Sequence, residues 1–339
     1  MKPTDFAYYL SAFFTKYLPA ECGSSVNTVS SYRDTFLLLF RYLRDERGVR
    51  IERLELKDFN KDLIREFLDW IETARGCSAA TRNVRLTALH SFFRYLQFEC
   101  PDFLIEWQKI LDIPVKKTER GTLTYMSLEG IKLLLQMPDR RTKLGRRDVA
   151  LLSLMYDTGA RVQEIADLTP SMVRLSAPRT IKLVGKGKKA RIVPLMEKQA
   201  DILLQYMSEK ELVSPNANQY PLFPGRRGEK LTRAGISYIL AKYVAMARAQ
   251  DASLVPLKFS PHCLRHSKAM HLLQSGVNLV YIRDLLGHVS VQTTEIYART
   301  DSRKKREAIE HAYTDVSPGI EPQWEGNPDL IEWLSTFIK

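Results

Sequence analysis

Between Thr180 and Leu195 the apolar pattern of this chain switches from the three-and-four step of helices to short β-branched runs. TIKLV and ARIVPL are separated by GKGKK, a combination that reads as a β-hairpin. A chain patterned this way can build at most a small sheet, and its core must come from helix stripes. The expected class is therefore mainly α with a small β-hairpin or sheet, an α+β unit lying in the second half. At 339 residues one core would be unusually large, so two domains are expected. Residues 112–126, DIPVKKTERGTLTYM, hold Pro114, Gly121 and a cluster of charges without a sustained period, and read as the linker.

The first 110 residues read as amphipathic helices. One runs from Thr28 to about Arg47, capped by Ser25 or Asn27, with Tyr32, Phe36, Leu39, Phe40 and Leu43 in a stripe, and Gly48 ends it. A second covers about Asn60 to Arg75 with Leu63, Phe67, Trp70 and Ile71 inward, closed by Gly76. Ser78 caps a third, Ala79 to Phe98, whose apolar positions are Val84, Leu86, Leu89, Phe92, Phe93 and Leu96. Its other face carries Arg82, Arg85 and Arg94, a solvated face that on a basic protein becomes a candidate phosphate-contacting surface. After the linker, helical periods resume at Ser127 and from Arg147 to Tyr156. They return at about Gln199 to Lys210, Thr232 to Arg248 and Pro261 to Ala312.

Composition narrows the function. Hydrophobic content of 45% with 27% charged residues excludes a disordered chain, and the formal net charge of +12 favours a polyanionic partner. Cys22, Cys77, Cys100 and Cys263 are far apart, with no CxxC pair and no metal-ligand spacing. The first residues, broken by Lys2, Pro3 and Asp5, do not read as a signal peptide, and no run is long enough for a membrane span. A cytoplasmic, nucleoid-associated protein is expected.

Four fragments carry chemistry. TGARVQEIADL places Arg161 at a helix start after Gly159, with Glu164 three residues on along the same face. GKGKK puts Lys186, Lys188 and Lys189 at a mobile hairpin tip and lacks the spacing of a nucleotide-binding loop. In SPHCLRHS, Ser260 and Pro261 start a helix on which His262 and Arg265 lie one turn apart. In LLGHVSVQTTEIYAR, Gly287 ends a helix, His288 sits in the turn, and Ser290 caps the helix that carries Tyr297. Attack on a phosphodiester without a metal needs fixed positive charge on the non-bridging oxygens, a positioned nucleophile and an acid for the departing oxygen. The four fragments supply a candidate for each.

In order and spacing these fragments resemble the tyrosine recombinases, the family of Xer-type resolvases, Cre and phage-type integrases. TVSSYRDTFLLLFRYL and ATRNVRLTALHSFFRYL are likewise similar to that family's core-binding helices, so the resemblance spans about residues 4 to 313. It implies a two-domain, C-shaped clamp around DNA. Residues 1–111 would be a helical, SAM-like core-binding domain, 112–126 the linker, 127–313 the catalytic domain, and 314–339 a C-terminal linker and partner-docking helix. It implies Tyr297 as nucleophile, forming a 3′-phosphotyrosyl link, with Arg161 and Arg265 clamping the phosphate and His288 donating a further hydrogen bond. Lys186 would be the general acid, Lys188 staying open as an alternative on reach alone, and His262 the base near Tyr297. Glu164 would support the site, with Arg82, Arg85, Lys188 and Lys189 as DNA-binding candidates. The cations are expected to lower the hydroxyl's pKa from its reference near 10. No metal and no cofactor are implied.

The expected partner is double-stranded DNA with paired inverted half-sites, bound by a dimer and synapsed by a tetramer through a Holliday junction. The helical region begins almost at residue 1, so an arm-binding domain before it is not expected. In the tail, NPDLIEWLSTFIK reads as a short helix whose stripe of Leu330, Trp333, Leu334, Phe337 and Ile338 docks on its own domain or on a neighbour. Integration or excision of a mobile element is the expected role. A Xer-type chromosome-dimer resolvase and a type IB topoisomerase-like enzyme are the alternatives.

Overall fold

A computed structural model describes residues 3–118, 123–185, 187, 189–225, 227–288, 290–300 and 331. The chain divides into two compact units, Met1–Gly121 and Thr122–Lys339, at a point within the stretch read as a linker. Lys186, Lys188 and, apart from residue 331, the expected C-terminal helix lie outside the described residues.

The first unit is helical. α1 spans Asp5–Ala12, a π-helical run Phe13–Glu21 carries Pro19, and α2 follows at Val26–Asp45 with Ser25 accepting from Thr28 N. α3 is Lys61–Thr73, α4 Ala79–Glu99 and α5 Leu104–Leu111. Gly48 and Gly76, the two expected stops, both adopt positive φ. The core is built on aromatic rings, with Phe13 edge-on to Phe92 at 5.2 Å and Phe6 stacked on Phe59 at 4.8 Å.

Two expectations on α4 are corrected. Val84 is half-exposed, because it lies two residues before Leu86 and so on the opposite side of the helix. Arg82 and Arg85 do not form a free basic face. They precede the buried Leu86 and Leu89 by four residues and share their inward side. Arg82 is buried and donates to Pro114 O at 2.9 Å, while Arg85 donates to Ser31 O and Thr35 Oγ1 at 3.2 Å. Both guanidiniums tie helices and chain segments together, whereas Arg94 is exposed.

The second unit sets helices around a three-stranded antiparallel sheet in the order β1 (Val173–Arg174), β2 (Thr180–Val184), β3 (Ala190–Pro194). The expected hairpin is present, with Thr180 opposite Pro194 and Val184 opposite Ala190. The two-residue β1 is an addition too short to read as a pattern. The helices are α6 (Leu128–Gln136), α7 (Lys143–Thr158), α8 (Val162–Ala166), α9 (Glu197–Glu209) and α10 (Arg233–Gln250). α11 (Pro261–Gln274), α12 (Leu279–Leu286) and α13 (Glu295–Thr300) complete the set. Leu151, Ile165, Ile181, Leu183, Leu203 and Leu264 belong to one continuous core. A smaller cluster of Ala269, Met270, Ile282, Leu286 and Tyr297 joins α11, α12 and α13. The nucleophile candidate is thus seated by apolar packing.

Candidate active site

The geometry starts at the C-terminal end of α12. Carbonyls at a helix end have no partner within the helix and carry the negative end of its dipole. Gly287 turns the chain there in the left-handed conformation, φ +64, and three arginines take three successive carbonyls. Arg191 Nε donates to Leu285 O at 2.8 Å, Arg265 Nη2 to Leu286 O at 2.7 Å and Arg161 Nη2 to Gly287 O at 3.0 Å. The segment Leu285–Gly287 therefore acts as an arginine organiser, and His288 follows directly from it.

Each arginine has a second anchor. Gly159, also left-handed, caps α7 and offers its carbonyl to Arg265 Nη1 at 2.7 Å. Arg161 stands at the N-terminal end of α8, donating its backbone N–H to Glu164 Oε2 at 2.8 Å and Nη1 to Oε1 at 2.9 Å. Arg191, on β3, grips both oxygens of the same carboxylate. Burial by itself would raise the Glu164 carboxyl, but the hydrogen bonds and charge of Arg191, joined by Arg161, hold it below the ordinary range. Arg191 is a site residue that sequence reasoning missed.

The hairpin reaches this cluster through Gly185. A methyl group on Gly185 would stand 3.0 Å from Glu164 Oε1 and 3.5 Å from Arg161 Nη1, so any side chain there would make the carboxylate give way. Arg161, Gly185, Lys189, Arg191, Gly287 and His288 line a cleft of about 460 Å³. A cavity of similar size bounded by Leu212, Ala217 and Tyr220 holds none of these residues.

Tyr297 meets the cluster from α13. Its hydroxyl is 2.9 Å from Nδ1 of His266, not of His262. His262, expected to be the base near Tyr297, sets its ring edge-on against His266 with centroids 4.2 Å apart. The two histidines are four residues apart on α11, so a pattern that admits one admits both. His288 lies nearly parallel to the Tyr297 ring at 6.5 Å, and its Nδ1 is 2.9 Å from Thr294 Oγ1. With Nδ1 engaged, Nε2 is the nitrogen available to a ligand. Ser290, expected to cap α13, instead caps the 3-10 turn Val291–Thr293 that leads into it.

Electrostatics correct one expectation. Burial pushes the Tyr297 hydroxyl up to about 12, and the opposing pull of Arg265 is too weak to reverse this. At pH 7 ionising it unaided would cost about 7 kcal/mol, so attack requires a proton acceptor. Burial first, then neighbouring positive charge, holds His266 and His288 down to about 4, and Arg265, lowered to about 10 by burial, stays charged. Arg265 is 1% exposed and Tyr297 0%, whereas the Arg161 side chain is 37% exposed. Arg161 is thus the most accessible of the three arginines.

Nested arginines, histidines and a buried tyrosine suit phosphoryl transfer, and comparison with known proteins agrees. The sequence profile of the phage integrase family matches residues 124–304, and that of the phage integrase N-terminal SAM-like domain matches residues 12–99. The chain belongs to the phage integrase family of tyrosine recombinases. An integrase/recombinase of Sinorhizobium fredii, y4rC, is 35% identical over 336 residues, covering 99% of each chain. Tyrosine recombinase XerC of Oceanobacillus iheyensis is 33% identical, covering 87% of this chain and 92% of its own. The crystal structure of XerH site-specific recombinase, bound to difH substrate before cleavage, aligns with a TM-score of 0.64 at 25% identity. It covers 89% of this chain and 85% of its own. This tyrosine recombinase is accordingly a DNA strand-transfer enzyme acting in site-specific recombination. Among the described residues no helix is long and apolar enough to cross a membrane, and no group of three or more His, Cys, Asp or Glu side chains could hold a metal.

Proposed function

We propose that Tyr297 attacks a phosphodiester of duplex DNA in line, forming a 3′-phosphotyrosyl link and freeing a 5′-hydroxyl, which the partner strand's 5′-hydroxyl later reverses. The observation that carries this reading is the Tyr297 hydroxyl seated against α11, the helix of Arg265, beside the three arginine-held carbonyls that end at His288. Arg161 and Arg265 clamp the non-bridging oxygens, because a guanidinium keeps its charge and donates two parallel hydrogen bonds. His288 donates through Nε2, Glu164 holds Arg161 in place, and Lys186, with Lys188 as the alternative, protonates the leaving 5′-oxygen. A covalent intermediate conserves the phosphodiester energy, so joining needs no further energy source.

In this reading residues 1–111 and 127–313 close as a C-shaped clamp on one half-site. Two protomers occupy inverted half-sites, and four form the synapse and pass through a Holliday junction. The helix expected within 327–338 docks on a neighbouring protomer, and the protein works on DNA in the cytoplasm. Integration and excision of a mobile element is the role we assign, in keeping with the name integrase/recombinase on the Sinorhizobium relative. The XerC relative favours a second role, resolution of chromosome dimers.

Incubating the full chain with a plasmid carrying two copies of a site, selected by the protein from random duplexes, tests the reading. Excised circles from directly repeated sites support recombination. Relaxed plasmid with no exchange would overturn it in favour of a topoisomerase-like activity.

A further inference from the structure

A hydroxyl held near 12 cannot attack unless something takes its proton, and one group stands in position to do so. His266 Nδ1 lies 2.9 Å from Tyr297 Oη and is the one hydrogen-bond partner of that hydroxyl among the described residues. His266 follows Arg265 directly on α11, so the group beside the nucleophile and the phosphate clamp move as one rigid element. His262, one turn earlier, packs its ring edge against His266 and fixes its orientation. His288 lies nearly parallel to the Tyr297 ring at 6.5 Å and has its own Nδ1 on Thr294, so it does not compete for the hydroxyl.

We propose that His266 is the base of the cleavage step, with Nδ1 accepting the Tyr297 proton as Oη attacks phosphorus. This rests on Tyr297 being the nucleophile. The Oη–P bond forms, the P–O5′ bond breaks, and the proton that leaves Oη stays on His266 as an imidazolium. The departing O5′ takes its proton from the hairpin lysine. Strand joining runs the same moves backwards, His266 returning the proton to Oη. His262 is then a positioning residue that keeps Nδ1 aimed.

The surroundings make this base conditional on DNA. The charged and titratable groups facing His266 are His262 and Arg265 on α11, Tyr297 on α13 and His288 in the turn after α12. Burial and that positive neighbourhood keep the ring neutral in the free protein, so the nucleophile stays protonated and inert. A phosphodiester held by Arg161 and Arg265 brings a negative charge into the same cluster. It offsets the arginines' repulsion of an imidazolium and strengthens the base where a substrate is present.

The test uses single-turnover cleavage of a nicked suicide duplex carrying the selected site, with oxygen or sulfur at the 5′ bridging position. Sulfur leaves without an acid, so it isolates deprotonation of the nucleophile from protonation of the leaving group. His266→Ala is expected to slow both substrates by about 10²- to 10⁴-fold. His266→Asn keeps a hydrogen-bond acceptor near the Nδ1 position but cannot hold a proton. It should be comparably slow, and should lose the acidic inflection of the wild-type pH–rate profile on the sulfur substrate. Cleavage by His266→Asn at the wild-type rate, persistence of that inflection, or rescue of His266→Ala by sulfur would each overturn the proposal. An adduct formed by Tyr297→Phe would instead overturn the assignment of the nucleophile, which the His266 variants do not address.

Discussion

Arg191 holds both carboxylate oxygens of Glu164, Nη1 to Oε1 at 2.8 Å and Nη2 to Oε2 at 2.7 Å, on a carboxylate that Arg161 also shares. The pair is buried, with side chains 12% and 2% exposed. Two arginines on one carboxylate leave a net positive charge, so Arg161 keeps attraction to spare for a phosphate. Removing Arg191 leaves Glu164 to neutralise Arg161 alone. Arg191→Met should therefore destabilise by about 3–5 kcal/mol and slow cleavage on the order of 10- to 100-fold. Adding Glu164→Gln to Arg191→Met should restore little of that stability, because it takes from Arg161 the carboxylate that still neutralises it. Urea unfolding of the single and double variants, paired with single-turnover cleavage, checks both statements.

The buried histidines set an acid limit. His266 and His288 hold pKa values of about 4 when folded, against 6.5 for an ordinary histidine. Between those values the unfolded chain binds more protons, so stability rises with pH. Their contribution is complete above about pH 6.5 and is lost as pH falls toward 4, at roughly 1 kcal/mol per ring after solvent screening. Tyr297 acts at the other end, its contribution complete below pH 10 and lost as pH climbs toward 12. Thermal unfolding from pH 4 to 8 should show Tm falling on the acid side. His266→Asn and His288→Asn should flatten that fall.

Two glycines are predicted to serve the arginine cluster in different ways. A methyl group at Gly287 would meet Arg191 Nη1 at 3.0 Å in a backbone conformation that L-residues rarely adopt. Gly287→Ala should cost about 1–3 kcal/mol and slow cleavage together. Gly185→Ala has no such backbone cost and presses most closely on Glu164 and Arg161, so it should slow cleavage with a smaller loss of stability. Denaturant midpoints and cleavage rates measured on the same preparations separate the two.

What the sequence made legible was local. Gly159, Arg161 and Glu164 lie within six residues, and cap, helix start and carboxylate could be read from their order. The same holds for Ser260 to Arg265 and for Gly287. Arg191 carries no sequence signal because its partners, Glu164 and Leu285, lie 27 and 94 residues away and an arginine in a strand has no pattern of its own. His266 stands directly after Arg265, but only tertiary packing across 31 residues decides which histidine meets Tyr297. Charge points Arg82 to solvent, whereas its four-residue spacing to the buried Leu86 marks the inner side. The hydroxyl's raised pKa was missed because spacing shows which charges are near but not how dry the site is.

Lys186 and Lys188 can be separated by chemistry. If Lys186 is the acid, Lys186→Ala should slow cleavage of the oxygen-bridged suicide duplex by about 10²- to 10⁴-fold, and sulfur at the 5′ position should remove most of that defect. Lys188→Ala should show a small defect that sulfur leaves unchanged. Rescue of Lys188→Ala instead would move the role two residues along the hairpin.

The central claim is that Tyr297 becomes covalently joined to DNA. Denaturing electrophoresis of the full chain after incubation with a labelled suicide duplex tests it most directly, with the attached peptide mapped by mass spectrometry. The account predicts a 3′-linked adduct on the peptide containing Tyr297, formed by the wild type and absent from Tyr297→Phe. An adduct of equal yield in Tyr297→Phe, or one mapped to another residue, would contradict it.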